Sequence, residues 1–249
     1  VSEVGTALVV IPARDEAARV ERCLGSVRAA IAFASARRPG LDARLLLVAD
    51  LCRDDTAELA RGLGADVLEV AVGNVGFARR VGVERLLLTG DPTPRHTTWI
   101  AMTDADSVVP FGWLDAQLDL ADAGADVVVG TVRPEFDELS PRQRSAWLAT
   151  HTPGVANGHV HGANLGVRAS TYLATGGFDP LLVGEDVELV EAARRRGARV
   201  VATADAEVLT SGRRDARAPR GYSAYLAGLE NLTLVSPHLD DPDLEEAAG

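Results

Sequence analysis

The chain has 249 residues and a formal net charge of −11, and all 25 of its Lys-plus-Arg residues are arginines. That charge argues against nucleic acid as a main partner, and the lack of lysine excludes lysine Schiff-base chemistry and a P-loop lysine. A hydrophobic fraction of 47% and a charged fraction of 24% are ordinary for a globular chain with a well-buried core.

Residues 7–11 form an apolar run stopped by Pro12, the pattern of a buried strand. After Ala13-Arg14-Asp15-Glu16, residues 17–36 predict an amphipathic helix, with Val20, Cys23, Leu24, Val27 and Ile31 at helical spacing. Residues 45–48 predict a second strand ending in Ala49-Asp50. A helix through Leu63 follows, with Asp54 or Asp55 as its N-cap. Residues 66–70 predict a third strand, and residues 73–80 lead into a helix ending near Leu88. This alternation predicts an α/β fold with a mostly parallel sheet. No Gly-x-Gly-x-x-Gly follows the first strand, which argues against a dinucleotide dehydrogenase.

The stretch Trp99-Ile100-Ala101-Met102-Thr103-Asp104-Ala105-Asp106-Ser107 predicts a fourth buried strand ending in two carboxylates, with Pro110 closing the ladder. In a strand Asp104 and Asp106 would share a face, with Ala105 turned aside. Ligands of open parallel sheets bind beyond the carboxyl ends of the strands. Two acids there can hold a hard divalent cation, and that cation a diphosphate. The alternative is that both are turn residues bonded to their own backbone.

The back half is less regular. Residues 112–123 predict a helix and 125–132 a strand. Residues 134–162 predict a helix plus a long loop containing His151, His159 and His161. Helices near 170–174 and over 185–196 follow, separated by a turn at Gly176-Gly177, and the acidic residues 237–249 predict a frayed tail. Cys23 and Cys52 suit small buried hydrophobes in a reducing, cytoplasmic compartment. No apolar run reaches about 18 residues, so no transmembrane segment is expected.

Taken together, these motifs resemble those of the inverting GT-A glycosyltransferases of family 2, over roughly residues 6–230. Val10-Ile11-Pro12-Ala13-Arg14-Asp15-Glu16 resembles the opening strand and nucleotide-facing loop, with Asp15-Glu16 where Asn-Glu is usual. Residues 48–56 resemble the acidic second-strand motif, keeping Asp50 and Asp54 but carrying Ala49 and Leu51-Cys52 where Asp and Gly-Ser are usual. Asn74, Gly76 and Ala78-Arg79 resemble the flank of the donor pocket. Asp104-Ala105-Asp106 resembles the Asp-x-Asp motif. Residues 162–168 and 176–179 resemble the acceptor framework, and Gly184-Glu185-Asp186 the motif of the catalytic base.

The resemblance implies a GT-A, Rossmann-like fold with a mostly parallel central sheet flanked by helices. It implies a single domain over 1–236, with a nucleotide-sugar half (1–107) and an acceptor half (108–236). It also implies transfer of a sugar from a nucleotide-diphosphate donor to an acceptor hydroxyl, with Mn2+ or Mg2+ on the diphosphate. UDP-sugars are favoured over GDP-sugars, and the acceptor is unknown. Donor-binding candidates are Pro12, Arg14, Glu16, Asp50 (facing the base), Asn74, Arg79, Asp104, Ala105 and Asp106. Asp106 is the candidate metal ligand, and Asp104 reaches the ribose or the metal.

Inversion needs a carboxylate to accept the proton of the attacking hydroxyl, and Asp186 is the candidate base at a helix N-terminus that favours negative charge. Glu185 would orient a neighbouring group. Alternatively, both acids only cap the helix. Arg213 and Arg214 are either diphosphate contacts or part of a solvated charge run. Acceptor-side candidates are Trp147, His161, Gly162 and Asn164. His159 and His161 could instead share a metal, and Trp113 and Trp147 could instead be core. The competing functions are a sugar-nucleotide pyrophosphorylase, which lacks its early Gly-rich signature and lysine here, and a non-catalytic nucleotide-sugar-binding module.

Overall fold

The structure, a computed structural model, describes residues 3–89, 94–181, 183–213 and 222–231. Its front half is β1 (Thr6–Ala13), α1 (Val20–Arg37), β2 (Asp42–Asp50), α2 (Thr56–Gly62), β3 (Asp66–Val70), α3 (Val75–Leu88) and β4 (Thr98–Met102). The back half is β5 (Ser107–Val108), α4 (Trp113–Asp122), β6 (Val127–Pro134), α5 (Pro141–Thr150), β7 (Leu165–Arg168), α6 (Ala169–Thr175), α7 (Glu185–Arg195), β8 (Val200–Thr210) and α8 (Tyr222–Gly228). One sheet runs β3-β2-β1-β4-β7-β6-β8-β5. The pairings β1–β2, β1–β4, β2–β3 and β6–β8 are parallel, while β7 lies antiparallel between β4 and β6, and β5 is antiparallel to β8. The sheet is therefore α/β and mostly parallel as expected, but mixed at its centre.

The front strands read as unbroken apolar runs because both faces are covered. Ala7, Val9 and Ile11 of β1 face one core with Val20, Leu24 and Val27 of α1 and Trp113, Leu114 and Leu118 of α4. Leu8 and Val10 face the other, with Ala78, Val83 and Leu86 of α3 and Leu189 and Val190 of α7. Each fully buried Val, Leu or Ile there contributes about 1.5–3 kcal/mol. Helix α3 lies close to the sheet because Gly82 carries no Cβ: one would stand 2.7 Å from Val10 and 2.8 Å from Val48. Among the described residues no helix is long and apolar enough to cross a membrane.

Several predicted bounds shift for local reasons. Helix α1 begins at Val20 because residues 17–19 form a turn in which the Glu16 carbonyl accepts from the Arg19 and Val20 amides. Helix α2 begins at Thr56. Asp55 holds the N-cap position without a side-chain bond, while Asp54 accepts from the Thr56 amide at 3.0 Å and the Ala17 amide at 2.9 Å. Helix α5 starts with a reciprocal capping box between Ser140 and Gln143. Strands β7 and β8 and helix α8 are additions to the predicted elements. Residues 237–249, expected as an acidic tail, lie outside the described residues.

Candidate active site

The carboxyl ends of β1, β2 and β4 open into a cavity of about 560 Å³, the size range of small-molecule sites. Pro12, Arg14 and Glu16 reach it from β1 and Asp50 from β2. Asn74 and Arg79 come from the start of α3, and Asp104, Ala105 and Asp106 from the end of β4. His161, Gly162, Glu185, Asp186 and Arg213 complete the far side. The donor-side residues thus meet Gly184-Glu185-Asp186 in one space although about 80 residues separate the two acid motifs in sequence.

The two aspartates sit differently from the sequence expectation. Strand β4 ends at Met102, and Asp104-Ala105-Asp106 form a turn in which the Ser107 amide donates to the Asp104 carbonyl at 3.0 Å. The shared strand face is therefore not what aims them; the turn is. Beneath it, Cys23 donates its thiol to the Asp104 carbonyl at 3.3 Å, and burial together with Asp106 and Asp104 pushes that thiol up, out of reach of ionisation. Burial and the Asp104 carboxylate push Asp106 up to about 6, with Arg213 pulling it down.

Arg213 is brought there by β8. Ser107 pairs with Thr210, their hydroxyls meet at 2.9 Å, and the chain then continues to Arg213. Glu138 fixes this segment by accepting from the Ser211 hydroxyl at 2.8 Å and the Gly212 amide at 2.7 Å. The Arg213 guanidinium donates to both oxygens of the buried Glu16 at 2.8 and 2.7 Å and lies 2.9 Å from Asp106. A cation therefore already stands among these acids. Glu16, Asp104 and Asp106 supply only hard oxygen donors, the chemistry that Mg2+ or Mn2+ takes, but the donor atoms of all three do not lie within 4.8 Å of one another, and Arg213 stands between Glu16 and Asp106. Arg214 lies outside the described residues.

Arg79 is buried beneath the cavity. It pairs with Glu185 and, at 2.6 Å, with Asp104, so one guanidinium ties the β4 acids to the start of α7. Burial pushes Glu185 up against the pull of Arg79. Gly162 leaves room for Arg79, since a Cβ there would stand inside contact distance of the guanidinium. The Gly162 amide donates to Asp186 Oδ2 at 2.7 Å. Gly76 matters similarly, because its Cβ would lie 2.8 Å from the Asp179 carbonyl and 2.9 Å from Glu185 Cγ.

Two stability predictions arise here. Arg79→Met leaves Glu185 buried and unpaired, and is expected to cost about 3–5 kcal/mol in chemical denaturation. Gly162→Ala displaces the guanidinium and is expected to cost about 1–3 kcal/mol. A loss under about 1 kcal/mol for Arg79→Met would show that the buried pairing contributes little.

Asp50 lines the cavity from β2 and also has a structural task there. Its carboxylate accepts from the amides of Val72, Gly73 and Asn74, each at 2.8 Å, and so shapes the loop before α3. Asn74 is the N-cap of α3, accepting from Phe77 at 2.8 Å and donating to the Leu181 carbonyl at 2.8 Å. Glu185 and Asp186 are not N-caps, because that position is Gly184, with φ +82 and no side-chain bond; Asp186 does accept from the Val187 amide at 2.9 Å.

Two expected acceptor residues do not reach the cavity. Asn164 is 2% exposed and holds the core together, accepting from Trp113 at 2.9 Å and donating to the Thr131 and Ala206 carbonyls at 2.9 and 2.8 Å. Trp147 is 1% exposed and packs in a small core with Leu226 and Leu229, its indole N–H donating to the Tyr222 hydroxyl at 3.1 Å. Trp113 is likewise core. The sequence reading missed Tyr222 and Tyr225, which line the cavity beside His151, His159 and His161; the only cue was the aromatic spacing after Gly221.

A second acidic group, Asp15, Cys52 and Asp54, brings its donor atoms within 4.8 Å of one another. Asp15 accepts from the Arg53 amide at 2.6 Å and Asp54 from the two amides noted above, so these acids act as loop braces.

The family model for glycosyl transferase family 2 matches residues 8–172, most of the chain, including the donor candidates from Pro12 to Asp106. No curated protein sequence matches the chain. Among solved structures, residues 1–349 of TarS from S. aureus in complex with UDP-GlcNAc align with a TM-score of 0.63 at 14% identity, over 88% of this chain and 62% of that one. A mannosyltransferase, PcManGT from Pyrobaculum calidifontis with GDP-Man and Mn2+, aligns at 0.61 and 20% identity, over 90% and 60%. Glucosyl-3-phosphoglycerate synthase from Mycobacterium tuberculosis with UDP aligns at 0.51 and 19%, over 86% and 73%. The chain thus spans about three fifths of the first two. At these identities the likenesses show the fold, that of the GT-A glycosyltransferases. With the family model covering residues 8–172, the chain belongs to glycosyl transferase family 2.

Proposed function

We propose that this chain is a metal-dependent, inverting glycosyltransferase that moves a sugar from a nucleoside-diphosphate donor to an acceptor hydroxyl. The observation that carries the reading is the meeting, in one cavity, of the Asp104–Asp106 turn and Asp186, tied together through Arg79 and Glu185. In this reading the nucleoside lies along Pro12, Arg14, Asp50 and Asn74. Asp106 and Asp104 hold Mn2+ or Mg2+, which stabilises the charge that grows on the leaving diphosphate. Asp186 takes the proton of the attacking hydroxyl. Glu185 positions it indirectly by anchoring the first turn of α7 to Arg79.

Arg213 neutralises Glu16 and Asp106 and stands where it can turn to the diphosphate. One domain over residues 1–236 and a cytoplasmic setting, the latter resting on the free thiols of Cys23 and Cys52, belong to the same proposal. A UDP-sugar donor is preferred and a GDP-sugar is second; structural neighbours carrying UDP-GlcNAc and GDP-Man support this pair. Family membership weighs against a pyrophosphorylase. A binding module that does no chemistry would need Asp186 only for its bonds to the Gly162 and Val187 amides.

The test is a thermal-shift series with UDP and GDP, with and without Mn2+, because a ligand of the folded state raises the melting temperature. A rise with one nucleotide that requires Mn2+ supports the reading. No rise with either nucleotide overturns it.

A further inference from the structure

On the side of α5 and α8 the cavity wall changes character. His151, His159, His161, Tyr222 and Tyr225 line it. The His151 ring stacks on Trp147 at 4.5 Å and 14°, and its centroid lies 5.3 Å from His159 and 6.1 Å from Tyr225. His161 lies 5.4 Å from Tyr222. His161 precedes Gly162, whose amide holds Asp186, so the wall adjoins the proposed base. His159 is exposed and Tyr225 is 40% exposed, so both can be reached from solvent.

Two contacts bear on which ring nitrogen of His151 carries the proton. Its Nδ1 lies 3.2 Å from the Trp147 carbonyl, which can only accept, so in the tautomer that makes this bond Nδ1 bears the hydrogen. The Thr150 hydroxyl, 2.8 Å from Nδ1, donates in turn to the Trp147 carbonyl at 3.2 Å. Nε2 is then a lone pair. Burial pushes His151 below the ordinary histidine range and His161 to about 4, so both rings are neutral near pH 7. A lone pair attracts a hydroxyl hydrogen and repels a phosphate or carboxylate oxygen. Among the described residues, the acids that act on this wall are Asp186 and Asp104 at His161 and Glu207 at Tyr222, and Arg79 is already committed to Asp104 and Glu185.

We propose that this wall is a subsite for a neutral sugar residue of the acceptor, whose ring stacks on His159 and Tyr225 and whose hydroxyl donates to His151 Nε2. The subsite rests on the glycosyltransferase reading above for its role as acceptor site. Aromatic faces suit the apolar C–H face of a sugar, and their polar tips suit its hydroxyls. The five residues of the wall offer an anionic acceptor ring N–H and hydroxyl donors but no guanidinium.

The experiment is saturation-transfer NMR on the full chain with UDP or GDP and Mn2+ present. The probes are methyl α-glucoside and methyl α-mannoside, each against the corresponding sugar 6-phosphate. At least one neutral glycoside is expected to bind about tenfold or more tightly than its phosphate partner. Tyr225→Ala and His159→Ala, at exposed positions, and His151→Phe, which keeps a ring but loses the lone pair, are each expected to weaken it about fivefold or more. Equal or tighter binding of the 6-phosphates, no binding of either glycoside, or unchanged affinity in all three variants overturns the proposal. Nucleotide binding is read in the same samples. Its loss with the glycosides still bound would sink the donor reading and leave the subsite standing.

Discussion

Asp186→Asn is expected to lower sugar transfer by about 10²–10⁴-fold, the usual worth of a general base, while donor affinity stays near wild type. The substitution is well placed to separate chemistry from structure. Asn keeps one oxygen, which can accept from the Gly162 amide, now 2.7 Å from Asp186 Oδ2, while the exposed Val187 amide, now 2.9 Å from Oδ1, turns to water. The loop and the first turn of α7 should therefore hold, and the N-cap is Gly184 in any case. Steady-state kinetics with donor and acceptor varied separately is the check. A fall confined to kcat fits proton transfer, and an active Asp186→Asn enzyme would falsify the assignment.

Asp106→Ala is expected to remove the metal-dependent part of nucleotide affinity. Loss of a partner one step removed from a metal typically costs 10–100-fold in affinity, so loss of a direct ligand should cost about 100-fold or more. The fold should survive, because Arg213 keeps both bonds to Glu16, at 2.8 and 2.7 Å. Removing Asp106 also removes a carboxylate whose buried charge is already costly, as its rise to about 6 indicates. Titration calorimetry of UDP or GDP with and without Mn2+ reads the effect. An unchanged metal-dependent affinity in this variant contradicts the role given to Asp106.

The front half was legible in the sequence because its strands are buried on both faces and stopped by turn-forming or acidic residues. Strand β8 was not, because it is only half buried. Its Val200–Thr210 stretch mixes Ala, Thr, Asp and Glu, with full burial confined to Ala206, Val208 and Thr210. Strand β7 is four residues long and antiparallel, too short for periodicity to register.

At the site, residue type and order pointed to the two acid motifs, but not to what each side chain does. Arg79, a donor-side candidate, lines the cavity, but that its guanidinium also bridges Asp104 and Glu185 was not readable. Asn164 and Trp147 looked like acceptor contacts and are bound into the core by partners 42 and 75 residues away. The histidine–tyrosine wall is assembled from three separate segments, and only folding makes it a surface.

The most direct measurement is time-resolved NMR of the chain with a UDP- or GDP-sugar, Mn2+ and a neutral glycoside. The account predicts that the donor anomeric signal is replaced by a new glycosidic signal of opposite configuration, as free nucleoside diphosphate accumulates in equal amount. A product of retained configuration, release of nucleoside monophosphate instead of diphosphate, or a donor left intact would contradict it.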